Sequence, residues 1–268
     1  DTPYGKSKKK AAEILIEASK SVNFSFVQLI IPNIFGPFCK PYYNSFITTF
    51  SHQLIVEEKT EIIQDIKVSL IYVEDVVRQI LNTVGLKGIN KIEVPHQTER
   101  KVSEVLKQLN EFKKTYIENG NFPKLESLFD IQLFNTFRSE LNSKEFFPIP
   151  HKVNKDERGF FSELIRAYTK GQVSFSTTKP GVTRGNHFHT RKIERFSVIQ
   201  GDAMIAFRTI GNEDIIQFKL SGKEPSYVDI PVLTTHKIVN IGSEDLITIF
   251  WINEHYNPDD ADVYFEKV

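Results

Sequence analysis

The stretch GVTRGNHFHTRKIERFSVIQG, Gly181–Gly201, sets two of the chain's seven histidines one residue apart and follows them with a single glutamate. The run is otherwise β-like. On a strand, side chains two apart share a face. His187 and His189 are therefore expected to project together, with Glu194 brought alongside by a hairpin. Far downstream, DIPVLTTHKIVN, Asp229–Asn240, supplies His236 at the start of another strand-like run. Three imidazoles and one carboxylate form a credible first shell for a divalent metal. A bare HxH is more often a pair of surface hydrogen-bonding side chains.

The surroundings of this stretch are rich in short β-forming runs. They are Phe160–Arg166, Val173–Thr177, Glu194–Ile199, Ala203–Thr209, Ile215–Leu220, Tyr227–Ile230, Ile238–Ile241 and Leu246–Ile252. Gly201, Gly211, Gly222 and Gly242 punctuate them. Many short strands with regular turn signals predict an all-β sandwich or barrel. Upstream the texture differs. Residues 5–21, 44–57, 74–84 and 102–118 read as helices, the last with Val105, Leu106, Leu109, Phe112 and Tyr116 on one stripe and Ser103 as its N-cap. The apolar run Phe24–Ile31 reads as a buried strand. Strands alternating with helices predict α/β architecture. The fold class is thus an α/β part, residues 1–145, followed by an all-β part, residues 146–268.

Composition narrows the function classes. The chain has 268 residues, 40% hydrophobic and 25% charged, so an ordinary core can form. The formal net charge is zero, which gives no bulk electrostatic reason to expect nucleic acid or an anionic membrane as partner. No apolar run approaches the roughly 18 residues of a membrane span. Cys39 is the single cysteine, so an intramolecular disulfide and a cysteine-rich metal site are both excluded. That fits a reducing cytosol, and a cytoplasmic location is expected.

The spacing carries a resemblance. Gly181, His187, His189, Glu194 and Gly201 match the first motif of the cupins without a gap, and Pro231, His236 and Asn240 match most of the second. Cupins are small β-barrels with an internal metal. Leu233 stands where the second motif usually has glycine, which puts the local turn in question. DERGFFSEL, Asp156–Leu164, and TRGNH, Thr183–His187, resemble motifs of the sugar-nucleotide 3,5-epimerases. There the histidine is a base; here the same position would be a metal ligand, so that role does not carry over. For Asp156 and Arg158 a surface salt bridge is an equal alternative.

The chain opens on PYGKSKKKAAE. Tyr4 and Lys8 are four apart and share a helix face. This resembles the YxxxK pair of short-chain dehydrogenases/reductases, in which the tyrosine exchanges a proton with the carbinol oxygen. The lysine charge favours the phenolate. IIPNIFGP, Ile30–Pro37, and IYVEDVV, Ile71–Val77, look like late segments of the extended, sugar-nucleotide-modifying branch. That resemblance would set Asn33 and Asn44 near a nucleotide-sugar pocket, with turn residues as the alternative. Such an enzyme needs a glycine-rich turn where backbone approaches the pyrophosphate. Gly5, Gly36, Gly85, Gly88 and Gly120 form none. The expectation is the C-terminal part of a Rossmann domain, lacking its N-terminal half. Reduction is then not expected of these residues alone, and apolar surface should be exposed around Phe24–Ile31.

Together with CKPYYNSFITTF, FPKLESLFD and NPDDADVYFEKV, these features resemble the bifunctional capsular-polysaccharide enzymes of UDP-N-acetyl-L-fucosamine synthesis, which fuse an extended reductase domain to a metal cupin. The resemblance implies two steps on a UDP-4-keto-6-deoxy-N-acetylhexosamine: C3 epimerisation by the cupin, then C4-ketone reduction with NADPH. It also implies zinc and a homodimer. Arg184 and Lys237 are candidate substrate-binding cations. Glu194, Tyr227 and Asp156 are candidate bases, none decisive. The metal could be catalytic or structural. Rival readings are a non-catalytic metal-binding cupin serving as a sugar-binding or assembly module, and an iron cupin dioxygenase.

Overall fold

The computed structural model describes residues 2–151, 153–156, 159–162, 171–254 and 257–268. Helix α1 (Pro3–Val22) starts where Thr2 accepts a hydrogen bond from the Gly5 amide and Pro3 fills the first turn. Strands β1 (Phe26–Ile30) and β2 (Asn33–Phe35) follow. Helix α2 (Phe46–Ile55) is capped by the Ser45 hydroxyl. Next come β3 (Lys67–Tyr72), α3 (Val73–Thr83), β4 (Ile89–Glu93), β5 (Thr98–Lys101) and α4 (Val102–Phe112). The helix expected over 102–118 does not stay regular. It continues as a π-helical stretch, Lys113–Glu118, and α5 (Leu128–Arg138) and the short α6 (Ser143–Phe146) complete the front half.

Two local expectations are corrected. Ser103 is not the cap of α4. The helix begins a residue earlier, and the Asp65 carboxylate accepts from both the Ser103 amide and its hydroxyl, while Glu104 accepts from the Lys101 amide. The cap thus comes from a loop distant in sequence. The run Phe24–Ile31 is not a buried strand. Strand β1 pairs with β4 alone, in parallel, and Phe24 and Ile30 stay exposed. The other three strands form a separate sheet in the order β2-β3-β5. Apolar side chains are also exposed on α1 (Ile14, Leu15, Val22) and on α3 (Val77, Ile80, Leu81). Among the described residues, no helix is long and apolar enough to cross a membrane.

The back half contributes β6 (Ile149–Pro150), β7 (Val153–Asp156), β8 (Gly159–Ser162), β9 (Gln172–Thr178), β10 (Thr183–Phe188), β11 (Glu194–Gln200), β12 (Asp202–Thr209), β13 (Ile216–Ser221), β14 (Ser226–Ile230), β15 (Thr234–Asn240), β16 (Leu246–Ile252) and β17 (Tyr264–Phe265). Strands β7 and β8 pair with each other. The rest make two five-stranded antiparallel sheets, ordered β13-β12-β15-β10-β17 and β6-β14-β11-β16-β9. The strands expected of one barrel are therefore present as two open sheets, and no ladder closes them among the described residues. Ala203, Ile205, Phe207 and Ile238 of the first sheet share a core with Val198, Val228, Ile230 and Leu246 of the second. Arg158 lies outside the described residues, as does the side chain of Asp156.

The second sheet is a wall used on both faces. Along β11 the side chains alternate, as a strand requires. Glu194 points between the sheets; its neighbour Arg195 points outward and lies in register with Asp229 on β14 and Trp251 on β16. The front half covers that outward row. Phe122 stacks on Trp251 with ring centroids 4.2 Å apart, and the Tyr116 hydroxyl donates to Asp229. Arg195 bonds both Asp229 oxygens, at 2.7 and 3.0 Å, and the Gly120 carbonyl at 3.0 Å. A single hydrophobic cluster runs from Phe35 and Leu70 through α2, α4 and α5 to Ile193 and Trp251.

Candidate metal centre

His187 and His236 sit opposite each other on the paired strands β10 and β15. His189 follows just past the end of β10, and Glu194 opens β11 in the facing sheet. Gly185 makes this approach possible. Its φ is +102°, and a Cβ there would lie 2.6 Å from the His236 carbonyl. The register shifts between Gly185 and His187, so a bulge aims the first histidine. The turn before His236 survives without glycine. Leu233 itself adopts the left-handed backbone, φ +53°, and its amide donates to the His189 carbonyl at 2.7 Å.

The four expected ligands converge. One ligand atom from each of His187, His189, Glu194 and His236 falls within 4.8 Å of all the others. His189 Nε2 and His236 Nε2 stand 3.1 and 3.2 Å from Glu194 Oε2. All three atoms are buried, yet none has an aligned hydrogen-bond partner. Buried polar atoms are seldom left so. A cation among them would satisfy all three, and the His₃-carboxylate set suits zinc or a similar divalent ion.

The electrostatics agree with a cation's place. Burial, with the imidazoles of His236 and His189 beside it, pushes His187 down to about 4, so its ring is neutral near pH 7. Burial raises the Glu194 carboxyl, but the close His189 and His236 rings outweigh this and hold it well below the usual carboxylate range. Burial disfavours the protonated His189 ring, and Glu194 overrides it, raising that group.

A cavity of about 180 Å³ opens beside the cluster. Arg184, His187, Glu194, His236 and Lys237 line it, together with the stacked rings of Phe196 and Phe250. Arg184 crosses from one sheet to the other, donating to Thr178 Oγ1 at 3.0 Å and to the Thr177 carbonyl at 2.9 Å. Tyr227 does not join this site. It lies on the outer face of its sheet, with the Arg195 guanidinium 3.7 Å from its ring centroid, so it cannot serve as base there. Sequence reasoning missed Ser176 and Thr248, which are in register on β9 and β16 and also line the cavity. The Thr248 hydroxyl is buried without a partner. Serine and threonine at alternate strand positions are too common for sequence alone to single these out.

Tyr4, Lys8, Asn33 and Asn44 line a separate, open groove in the front half. Lys8 Nζ lies 5.3 Å from the centroid of the Tyr4 ring, as their helical spacing requires. Tyr4 is 68% exposed. Asn33 reaches the Ser69 carbonyl at 3.5 Å, and Asn44 sits at φ +58° in a loop where Phe38 and Tyr42 are also left-handed. Strain of this kind gathers at binding loops.

Two family models cover separate parts of the chain. The NAD dependent epimerase/dehydratase family matches residues 1–86, and the polysaccharide biosynthesis C-terminal domain matches residues 154–264. A curated relative, the UDP-2-acetamido-2,6-beta-L-arabino-hexul-4-ose reductase of Pseudomonas aeruginosa, is 32% identical over 98% of this chain and 71% of its own length. The chain belongs to the family of that reductase. The capsular polysaccharide assembling protein CapF of Staphylococcus aureus is similar in structure too, at 36% identity and a TM-score of 0.57, covering all of this chain and 73% of that one. The spore coat polysaccharide biosynthesis protein SpsL of Bacillus subtilis is 28% identical over 41% of this chain and 79% of its own length.

Proposed function

We propose that the chain acts in nucleotide-sugar modification for surface or capsular polysaccharide synthesis. The β half epimerises C3 of a UDP-4-keto-6-deoxy-N-acetylhexosamine at a zinc centre of His187, His189, Glu194 and His236. The α/β half contributes Tyr4 and Lys8 to reduction of the C4 ketone with NADPH, toward UDP-N-acetyl-L-fucosamine. The reading includes a cytoplasmic homodimer. The observation that carries it is the convergence of four ligand side chains at the floor of a cavity bearing Arg184 and Lys237, in a chain whose relative is named for a 4-ulose reductase.

Removing a proton α to a ketone becomes easier as the oxygen's developing charge is stabilised. When bound, a divalent cation supplies positive charge for that purpose. Arg184, fixed across the two sheets, holds a second positive charge at the cavity wall. The aromatic walls of Phe196 and Phe250 limit water there. Thr248 and Ser176 offer hydroxyls to sugar oxygens. In the front groove, the Tyr4 hydroxyl is the group for proton exchange at the carbinol oxygen, with Lys8 Nζ 5.3 Å from its ring centroid. The dinucleotide-binding turn that hydride transfer requires is not found in these 268 residues, so NADPH oxidation is not expected from them alone.

The test is metal analysis of the purified chain together with proton exchange at C3 of the keto-sugar nucleotide in heavy water. Exchange that depends on the metal and is lost in His236→Ala supports the reading. Metal-replete protein that shows no exchange, with ligand binding intact, would leave a binding module instead.

A further inference from the structure

His189 and Glu194 are separated by four residues, Thr190–Ile193, and each of the four has its backbone amide taken by a side chain from a distant segment. The Asp262 carboxylate accepts from the amides of Thr190, Arg191 and Lys192 at 3.0, 3.1 and 3.1 Å, and from the Thr190 hydroxyl at 2.7 Å. Asn253 Oδ1 accepts from the Ile193 amide at 3.0 Å. A carboxylate accepting from three amides and a hydroxyl makes charge-assisted hydrogen bonds, stronger than neutral ones. Asp262 is 5% exposed and sits at φ +45°, a left-handed conformation that aspartate tolerates better than most residues.

The same residue reaches the ring. His189 Nδ1 lies 2.5 Å from the Asp262 carbonyl oxygen. A carbonyl only accepts, so Nδ1 carries the proton, and the lone pair of the neutral ring is left on Nε2, the atom facing Glu194. Metal-binding histidines characteristically have their second nitrogen tied in this way. The segment carrying Asp262 is itself anchored. Strand β17 pairs with β10 at Phe265↔His187, Arg208 binds Glu266 at 2.6 Å, and Arg191 binds Asp260 at 2.8 Å.

We propose that Asp262 is the positioning residue of the metal centre. Its carbonyl fixes the tautomer and direction of His189, and its carboxylate moulds the four-residue connection that sets His189 against Glu194. The inference rests on the reading of the four converging residues as metal ligands. The C-terminal segment is thereby part of the site, although none of its described side chains is among the four converging ligands.

The full chain with Asp262→Ala and Asp262→Asn would be compared with wild type and with Asp260→Ala, which removes only the outer contact to Arg191. Zinc affinity is read by competition with a chromophoric chelator, ligand geometry by the absorption of cobalt-substituted protein, and unfolding temperature with and without zinc. The expected result is a zinc affinity about 10–100-fold weaker in Asp262→Ala, an altered cobalt spectrum and a smaller zinc-induced rise in unfolding temperature. Asp260→Ala should lose a little metal-free stability but keep the wild-type zinc affinity and cobalt spectrum, because Glu254 and the Asp260 carbonyl still hold Arg191. Should Asp262→Ala not fold, Asp262→Asn decides. It keeps the shape but turns one acceptor into a donor against the amides, and should still weaken zinc. Variants that hold zinc as tightly as wild type with an unchanged cobalt spectrum, losing only metal-free stability, would overturn the inference and leave the metal reading standing. Wild-type protein that binds no divalent ion would overturn both.

Discussion

The two candidate sites differ in how firmly the fold holds them. The histidine cluster lies between two sheets, with Glu194, His189 and His236 buried and two of its rings oriented by backbone carbonyls. In the front groove the Tyr4–Lys8 pair sits on one exposed helix and is set by helical spacing. The first site is preorganised by contacts that span the back half of the chain. The second has its geometry from neighbours in sequence. Preorganisation therefore distinguishes the histidine cluster from the Tyr4–Lys8 pair.

The sharpest way to break this comparison is to remove a ligand. His236→Ala should reduce bound zinc from about one per chain to background, a larger loss than the roughly 10–100-fold cost of an outer-shell change. Elemental analysis after dialysis reads it. In metal-replete wild type, X-ray absorption should give Zn–N distances of about 2.0–2.1 Å. Retention of the ion by the variant would mean that the cluster is not the site.

A second test weighs the wall between the halves. Asp229→Ala leaves Arg195 buried without its carboxylate, and should cost about 3–5 kcal/mol in denaturant unfolding. The metal site should loosen with it, since Glu194 is the adjacent residue. An effect under about 1 kcal/mol would show that the halves are only loosely docked.

A smaller effect concerns Glu140, just past α5 and 3.5 Å from His52. Burial pushes its carboxyl up to about 7. A carboxyl whose folded value is raised stabilises the fold while it stays protonated, below about pH 4.5, and that stability is lost as pH rises toward 7. Glu140→Gln should therefore match wild type at pH 4.5 and exceed it at pH 8, by about 1 kcal/mol once solvent screening at this half-buried site is allowed for. Equal stability at both pH values would place the charge in solvent.

The smallest expected effect is none. Tyr4→Phe should leave zinc content and C3 exchange unchanged, because its groove shares no lining residue with the cavity. Calorimetry with NADPH should give no binding heat for the 268-residue chain alone. Coupling of Tyr4 to metal content would dissolve the distinction between the two sites.

Much of this was legible in the sequence, for a definite reason. His187, His189 and Glu194 lie within eight residues of one another, so their spacing marks the ligands directly, although β10 and β11 fall in facing sheets and not in the expected hairpin. Helices α1, α2 and α3 overlap the spans 5–21, 44–57 and 74–84 read as helical. What escaped reading depends on partners remote in sequence. Asp262 serves amides 70 or more residues away, Asp65 caps a helix across 38 residues, and Tyr116 meets Asp229 across 113. No local pattern marks such pairs. The exposure of β1 is of the same kind: an apolar run gives the strand but not how many neighbours it finds. Leu233 shows the converse, a motif position changed while the backbone it serves is kept.

The alternation along β11 has a consequence for anyone treating the β half as an exchangeable module. A graft bounded at the start of the β-rich sequence would carry a raw face. Arg195, Asp229 and Trp251 would meet water where Tyr116, Gly120 and Phe122 now cover them. The portable unit includes the helical cover, so the line along which this protein can be cut lies upstream of the point where its sequence changes texture.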